Sequence, residues 1–473
     1  MIKKRLKKIR LTSILIILFF LFFIFTSFEN EKKFDLQNLI DYALNNNSEI
    51  TQYDLDIKKA EFDLSIAKAK KFPSISLSVS LSYLTNPIGP ISITAGQFGS
   101  ISTANGDILI PPEDMIIYQG MENTLYQFKI TIDQPIFTWG KIDNAIEVYK
   151  LLVDAAKFKK IEKIEEIKTK IKIYYHSLYY LDKIIETLNI QREIVERMVN
   201  ISKQSYENGF ITYSDYLQSI VAQKEFEFNF ARVVSEREKA INDIKYLLNY
   251  PMEKELKIDY SDFEEKLKNQ QIIFYNIPEN TYEIALENNI QLKQLQIFKK
   301  VVEKQFEIIN ASGYFKPDIG LRVEISYYGP RFPIFETGWF TQDDYNITIS
   351  LGLSAPIFDA GSIDAKIKLA KNEIAKILIQ IDNAYQNISN LLTSIKLKCD
   401  VNKAKIQYYL SKIEADKELI KTKQNAFESG EIDEIEYLKI KSNLYTDLIS
   451  LYLESIDYYT NYFSIESICG IEF

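Results

Sequence analysis

Four stretches of the chain alternate apolar and polar residues with a period of two. The first, SISLSVSLSY at residues 74–83, places five apolar side chains opposite five serines. The others, at 126–134, 318–327 and 346–354, carry polar side chains, several of them charged, at the alternate positions. This alternation predicts four strands with one apolar and one polar face. A soluble β-sandwich would alternate too, but so few strands, each about ten residues long, favour a sheet that spans a membrane.

The remaining pattern is helical. From Gly140 to Gly209, and again from Gly361 to Gly430, there is no proline, and apolar residues recur at intervals of three and four between lysines and glutamates. Each stretch predicts one continuous helix roughly 100 Å long, at a rise of about 1.5 Å per residue. Shorter helices are predicted to return from the glycines at 213–248 and 434–468, and others to lead into the strands at 35–71 and 281–313.

The pattern occurs twice because the sequence repeats itself. PIFTWGKID at 135–143 returns as PIFDAGSID at 356–364, and YENGFITYSDYL at 206–217 aligns with FESGEIDEIEYL at 427–438. A period of this length indicates duplication of a whole structural unit rather than a solenoid repeat. We predict a mostly helical fold with a small transmembrane β part, divided into a first repeat at 34–250 (strand hairpin 74–136), a linker or equatorial region at 251–280, and a second repeat at 281–473 (strand hairpin 318–357).

The repeated PIF motif lies where a second strand should give way to a long helix. Pro135 and Pro356 would end the strand ladder at little cost, and Gly140 and Gly361 would relieve the turn into the helix. We therefore assign these strand-to-helix junctions a structural role.

The N-terminus has the layout of a secretory signal peptide. Six basic residues precede an apolar run, and we place the signal peptide at 1–27; the alternative is an uncleaved single-pass anchor. Removal of this segment would take the net charge from −8 to −14. A protein this acidic is a poor candidate for nucleic-acid binding.

Composition leaves little room for metal chemistry. The chain contains one histidine and two cysteines, whereas a His/Cys metal site needs three or four ligands. We expect His176 to be buried in an apolar environment, and Cys399 and Cys469 to be free thiols, although a disulfide is the open alternative. We predict neither a metal site nor a cofactor.

A single chain cannot close the predicted sheet. Four strands would leave open edges, whose unpaired backbone groups are costly in lipid, so several chains must share one barrel. Two chains would give eight strands, an interior that side chains fill, and a conduit therefore needs at least three.

From about Phe34 to the end, the chain resembles the TolC-like outer membrane efflux protein family. The matching motifs occur in order: DLQNLIDYALNNNSEI, the strand after Pro73, QPIFTWG and APIFDAG, and the YENG and FESG turns. The resemblance implies a homotrimer with a twelve-stranded β-barrel in outer membrane lipid, continued by an α-helical periplasmic tunnel. It also implies a passive exit duct of a tripartite efflux or type I secretion system, with a periplasmic adaptor protein and an inner-membrane transporter as partners.

The same resemblance suggests functional residues at the two turns. Gly209 and Gly430 match the periplasmic tip, where the family's adaptor docks, and Asp215 and Glu436 match acidic positions near the aperture. A ring of like charges at a narrow opening would favour cations. The alternative is that these acids are solvated charges after a turn.

Three residues depart from the family pattern at the aperture. Phe427 and Ile432 stand where the best-known members have a tyrosine and an arginine that hold the opening closed. Lys439 stands where a second acid is expected, and at this spacing it could pair with Glu436 on the same helix. We therefore expect apolar contacts to contribute to closure.

Two other classes of function explain less of the sequence. A membrane-anchored periplasmic coiled-coil protein with a structural role would account for the long helices but leaves the alternating strands unexplained. An enzyme is not expected, because no nucleophile, base and orienting group recur together.

Overall fold

The computed structural model describes residues 33–268, 270–332 and 345–473. The predicted signal peptide at 1–27 lies outside these residues, as does most of the connection within the second strand hairpin. Helices dominate, with a smaller part in strands, so the predicted mostly helical fold class is confirmed at this level. The elements, in chain order, are α1 (Leu36–Asn46), α2 (Ser48–Ala69), β1 (Ser74–Tyr83), β2 (Ile91–Ile93), β3 (Ser100–Thr103), β4 (Gly106–Leu109), β5 (Met115–Tyr118), β6 (Thr124–Phe137), α3 (Lys141–Glu207), α4 (Tyr213–Leu248), α5 (Ser261–Leu267), α6 (Thr281–Asn288), α7 (Ile290–Ala311), β7 (Asp318–Gly329), β8 (Tyr345–Ser354), α8 (Ser362–Glu428) and α9 (Glu434–Cys469).

The long helices have matching lengths and bounds. Helices α3 and α8 each have 67 residues, and the returning helices α4 and α9 each have 36. Every bound in the second set lies 221 residues after its counterpart in the first. We refer to α3 with α4 as the first hairpin and to α8 with α9 as the second hairpin. Within the described residues, no helix combines the length and apolar character that crossing a membrane requires.

The chain divides into two compact units. The strand unit comprises Lys58–Ala155 and Ile297–Leu378. The helical unit comprises the described residues up to Ile57, together with Ala156–Gln296 and Ile379–Phe473.

Four antiparallel strands form the main sheet of the strand unit, in the order β1-β6-β7-β8. The register pairs Val79 with Phe128 and Leu321 with Leu351, so apolar residues oppose apolar residues across the ladders. Apolar side chains of the two edge strands are exposed in the single chain, with Leu77 67% and Leu351 68% accessible. The four predicted strands are therefore present, and one apolar face is left uncovered.

The connection between β1 and β6 holds four further strands, which the alternation did not predict. Strand β2 pairs with β5 and β3 pairs with β4, in two antiparallel ladders. Each of these strands has only three or four residues between glycines and prolines, too few to establish a visible period.

The predicted leading helices at 35–71 and 281–313 are each interrupted once. Asn47 separates α1 from α2: its side-chain amide donates to the carbonyl of Leu247 (2.7 Å), and its Oδ1 accepts from the backbone N–H of Glu49 (2.8 Å). Asn289 separates α6 from α7 in the same way, donating to the carbonyl of Ile468 (2.9 Å). An asparagine that bonds backbone groups competes with the helix and starts a new one, which explains both breaks.

Aromatic residues dominate the core of the helical unit. His176 is 2% exposed and stacks on Tyr459 with ring centroids 4.6 Å apart, and burial lowers the pKa of His176 to about 4. Backbone N–H groups of Ile273 and Tyr275 donate to the hydroxyls of Tyr459 and Tyr458 (3.2 and 2.9 Å), which fastens the segment before α6 to α9. The expectation of a buried histidine is confirmed.

The two cysteines belong to one smaller apolar cluster of the helical unit. Cys399 and Cys469 are fully buried there as free thiols, and burial raises the pKa of each to about 11. The residues 221 positions earlier are Leu178 and Leu248, which are also fully buried. The cysteines therefore pack as small apolar side chains.

Candidate site at the two helix-to-helix turns

Both hairpins end in the same backbone turn. Gly209 and Gly430 have φ of +75° and +79°, in the left-handed region that glycine adopts without strain. The next residue in each turn donates its N–H five residues back, Phe210 to Ser205 and Glu431 to the carbonyl of Ala426, both at 2.8 Å. With the bonds from each glycine N–H three residues back, this is a Schellman helix end. The turns predicted from the two glycines are present.

A stacked aromatic pair crosses each turn. Tyr206 lies on Tyr216 with centroids 5.7 Å apart and an interplanar angle of 5°. Phe427 lies on Tyr437 in the matching positions, at 5.3 Å and 3°. The ring of Phe427 thus packs within its own hairpin and holds the ends of α8 and α9 together.

Asp215 acts as a helix cap. Its carboxylate accepts from the N–H of Thr212 (3.0 Å), and its own N–H donates to the Thr212 hydroxyl (3.1 Å), which completes a capping box at the start of α4. The hydrogen bonds from Thr212 lower the pKa of Asp215. In the second hairpin Asp433 is the N-cap, and its carboxylate accepts from the N–H of Glu436 (2.7 Å). The carboxylate of Glu436, unlike that of Asp215, therefore does not take part in capping.

Glu436 pairs across the hairpin rather than along its own helix. Its Oε1 lies 3.6 Å from Nζ of Lys423 on α8, and no contact with Lys439 within ion-pair distance is present among the described residues. Lys439 instead lines a groove of about 780 Å³ between α3, α4 and α9, together with Asp215 and Ile435. The suggested pairing of Glu436 with Lys439 is therefore wrong, because the cross-hairpin lysine is in reach.

The structure shows an ion pair between the hairpins that the repeat pattern did not indicate. Nε and Nη2 of Arg197 on α3 lie 2.7 and 2.8 Å from the two carboxylate oxygens of Glu434 on α9. The pair raises the pKa of Arg197 and lowers that of Glu434. The matched residues are Glu418 and Tyr213, so the contact has no counterpart 221 residues away that could have indicated it.

Ile432 follows the second turn and is half-buried, and its N–H lies 3.4 Å from the carbonyl of Ala426. Phe210 follows the first turn and is 81% exposed. The two turns therefore share a backbone but differ in the side chains that they present.

The strand-to-helix junctions lie in the strand unit and differ from the prediction at one point. The β6 ladder continues past Pro135 to Phe137, because a bulge between these residues absorbs the missing N–H of the proline. Gly140 and Gly361 adopt φ of +79° and +87°, as expected for the turn into each helix. Pro356 follows the end of β8.

Comparison with known proteins gives a family match over part of the chain and a fold for most of it. Residues 39–249 match the family described as outer membrane efflux protein. No curated protein sequence matches the chain. Among solved structures, the outer membrane protein VceC of Vibrio cholerae is similar, with a TM-score of 0.69 at 14% identity over 93% of this chain and 96% of that one.

Two further structures share the fold. The open state of the Neisseria gonorrhoeae MtrE outer membrane channel has a TM-score of 0.68 at 14% identity, over 92% of this chain and 89% of that one. The Campylobacter jejuni CmeC outer membrane channel has a TM-score of 0.64 at 16% identity, over 92% and 85% respectively. At these identities the likeness establishes the fold.

Proposed function

We propose that the chain, whose residues 39–249 match the outer membrane efflux protein family, is a TolC-like protein of the outer membrane with its helical part in the periplasm. Three copies form a passive exit duct. The duct receives substrates from an inner-membrane transporter through a periplasmic adaptor, in a tripartite efflux or type I secretion system. Each chain contributes four strands to a twelve-stranded barrel and two helical hairpins to a tunnel.

One observation carries this proposal: the four-stranded sheet is open at β1 and β8 while its apolar face is exposed. The apolar side chains of β1 are between 53% and 71% accessible, and Ile347, Ile349, Leu351 and Leu353 of β8 between 66% and 71%. Lipid solvates such a face, but open edges in lipid would leave backbone groups unpaired. Edge pairing between copies removes this cost.

The sheet face can be tested by arginine substitution. Val79→Arg and Leu351→Arg place a charge on the proposed lipid face and should cost about 2–4 kcal/mol near mid-membrane. Ser78→Arg and Ser350→Arg, on the opposite face, are the matched controls and should be tolerated. Folding yield into lipid vesicles measures the difference, and equal tolerance at the four positions would mean that the faces are misassigned.

The trimeric duct can be tested directly. Protein extracted in detergent should run as a heat-labile trimer and should form conducting pores in a planar bilayer. A monomer without conductance would contradict the proposal and would favour the structural coiled-coil alternative. Gly209 and Gly430 are proposed as the tip that contacts the adaptor, and the long connection between β1 and β6, being between strands, as the exterior part.

For the aperture we propose that Glu436 supplies the acidic ring. The carboxylate of Asp215 is committed to its cap, whereas Glu436 has only a loose contact with Lys423. Glu436→Gln should therefore reduce the cation preference of reconstituted pores at low salt, and the effect should shrink at high salt through screening. Asp215→Asn is the matched control with the smaller expected effect. Unchanged selectivity in Glu436→Gln would mean that this carboxylate is only a solvated surface charge.

Closure itself is proposed to depend on Arg197 and Glu434. This bidentate pair joins α3 of the first hairpin, twelve residues before Gly209, to the first turn of α9 in the second, and such pairs are geometrically specific. Arg197→Gln should raise the open fraction of single pores. The charge-swapped double variant, Arg197→Glu with Glu434→Arg, should restore closure in part. If neither variant changes the open fraction, the pair does not hold the aperture.

A further inference from the structure

Two carboxyl groups meet in the seam between α8 and α9. Asp416 on α8 lies within hydrogen-bonding reach of Asp447 on α9, and Asp447 is 5% exposed. The Oδ2 atom of each residue is buried, and no hydrogen-bond donor among the described residues reaches it. Two ionised carboxylates in contact would repel each other, and a proton on Asp416 removes this repulsion.

The surroundings of the pair provide one cation and little other charge. Nζ of Lys412, one turn before Asp416, donates to Oδ1 of Asp447 (2.8 Å). Tyr408 is the other titratable group on α8 that acts on Lys412. From the first hairpin, α3 reaches this stretch of α9 with the neutral side chain of Gln191, which donates to Ser442 and Thr446. One lysine therefore faces two acids.

The first hairpin has no such pair at the matched positions. The residues 221 positions before Asp416, Asp447 and Lys412 are Val195, Phe226 and Gln191, none of which titrates. Phe226 packs there against an apolar cluster of the first hairpin. The two seams thus give a matched comparison within one molecule, with the acid pair in only one of them.

We propose that Asp416 and Asp447 form a proton-linked latch in the second hairpin. With one proton shared, the Asp416 hydroxyl donates to the Asp447 carboxylate and holds α8 against α9. When that proton leaves to solvent, two like charges face each other beside Lys412, and the seam loosens.

The direction of the pH dependence follows from the titration of Asp416. Burial and the contact with Asp447 raise the pKa of Asp416 above its ordinary value of 3.8. A carboxyl group with a raised pKa stabilises the folded seam at low pH, and this contribution is lost as the pH rises through the raised pKa. The seam is therefore tightest in acid and looser towards neutral pH. The latch acts within one chain, so it does not depend on the proposed duct.

Spin-label distances across the seam test this directly. Lys417→Cys and Asn443→Cys lie at exposed positions of α8 and α9 near the pair, and the buried native cysteines are protected from the label. Between about pH 4 and pH 8, a range that covers titration of a perturbed aspartate, the mean distance and its width should increase along a single titration curve. The matched pair Glu196→Cys and Ala222→Cys in the first hairpin should show no change.

Asp416→Asn separates the latch from a general effect of pH. Its amide still donates to Asp447 but cannot titrate, so the label distance should stay at its acid value over the whole range; Asp447→Asn is the second variant with the same expectation. A constant distance in the wild-type seam would overturn the proposal. So would a pH-dependent increase of equal size in Asp416→Asn, or one of equal size in the first hairpin.

Discussion

The two hairpins have helices of equal length but seams of different chemistry. In the first hairpin, Leu181, Ile184 and Leu188 pack against Val233 with the partly buried Phe226 and Phe230, and α9 covers this cluster with Ile449, Tyr452 and Ile456. At the matched positions the second hairpin has Asn402, Lys405, Tyr409, Glu454, Asp447 and Leu451. There Glu454 accepts from Asn402 (2.8 Å) and Lys405 (2.7 Å).

This difference shows that one helical geometry can be held together in two ways. Burial of apolar side chains raises the free energy of unfolding in proportion to the area removed from water, and this contribution is nearly independent of pH and moderate salt. Partly buried polar pairs contribute little net stability because desolvation offsets their attraction, but they respond to protonation. At these matched positions the first hairpin relies on apolar packing, whereas the second combines polar pairs with buried apolar residues such as Ile406 and Leu451.

Exchanging one matched residue in each direction should give the largest effect. Val233 is 7% exposed, so Val233→Glu buries a charge without a partner and should cost about 3–5 kcal/mol. The reverse change, Glu454→Val, leaves Lys405 free to turn into solvent but removes the acceptor of the buried Asn402 amide, and it should cost about 1–3 kcal/mol. Guanidinium unfolding in detergent, followed by helical circular dichroism, measures both. Equal losses would contradict the assignment of one apolar and one polar seam.

Truncation within each seam should give an intermediate effect. Leu188→Ala removes a side chain that is 5% exposed and should cost about 2–4 kcal/mol through the cavity that it leaves. Lys405→Ala, from the second seam, removes half of a largely exposed ion pair, and the expected cost is below about 1 kcal/mol. A larger loss for Lys405→Ala than for Leu188→Ala in the same unfolding assay would reverse the comparison.

Salt should give the smallest effect and the finest discrimination. The cost of Lys405→Ala should fall by a few tenths of a kcal/mol, roughly, between low salt and about 1 M NaCl, because screening weakens the pair in the wild type. The cost of Leu188→Ala should not decrease over the same range. A parallel decrease in both would indicate a general effect of salt on unfolding.

Much of this fold could be predicted because each apolar pattern extends over many residues and because glycine and proline are few. Alternation over ten residues identified β1 and β6, and the glycines at 209 and 430 marked the ends of α3 and α8. The breaks at Asn47 and Asn289 could not be predicted, because their cause is a carbonyl about 200 residues away in the sequence. The extension of β6 past Pro135 depends on a bulge, which leaves no trace in the pattern.

The candidate site was predictable in its backbone and much less in its side-chain partners. The conformations of Gly209 and Gly430 follow from the residue type alone. Helix spacing suggested Lys439 as the partner of Glu436, but a lysine on the facing helix competed for the same carboxylate. Arg197 and Glu434 join different repeats, so neither the spacing within a helix nor the repeat itself could have suggested them.

The equal length of the long helices also bears on where this chain can gain or lose residues during evolution. A single residue inserted into a 67-residue helix would rotate everything beyond it by about 100° and shift it by about 1.5 Å, which would misalign the seam down to the turn. An insertion in the connection between β1 and β6 does not rotate a packed helix face. This connection is also where the first repeat is longer than the second. Length variation among related chains should therefore concentrate in strand connections and linkers, while the two long helices change by substitution only.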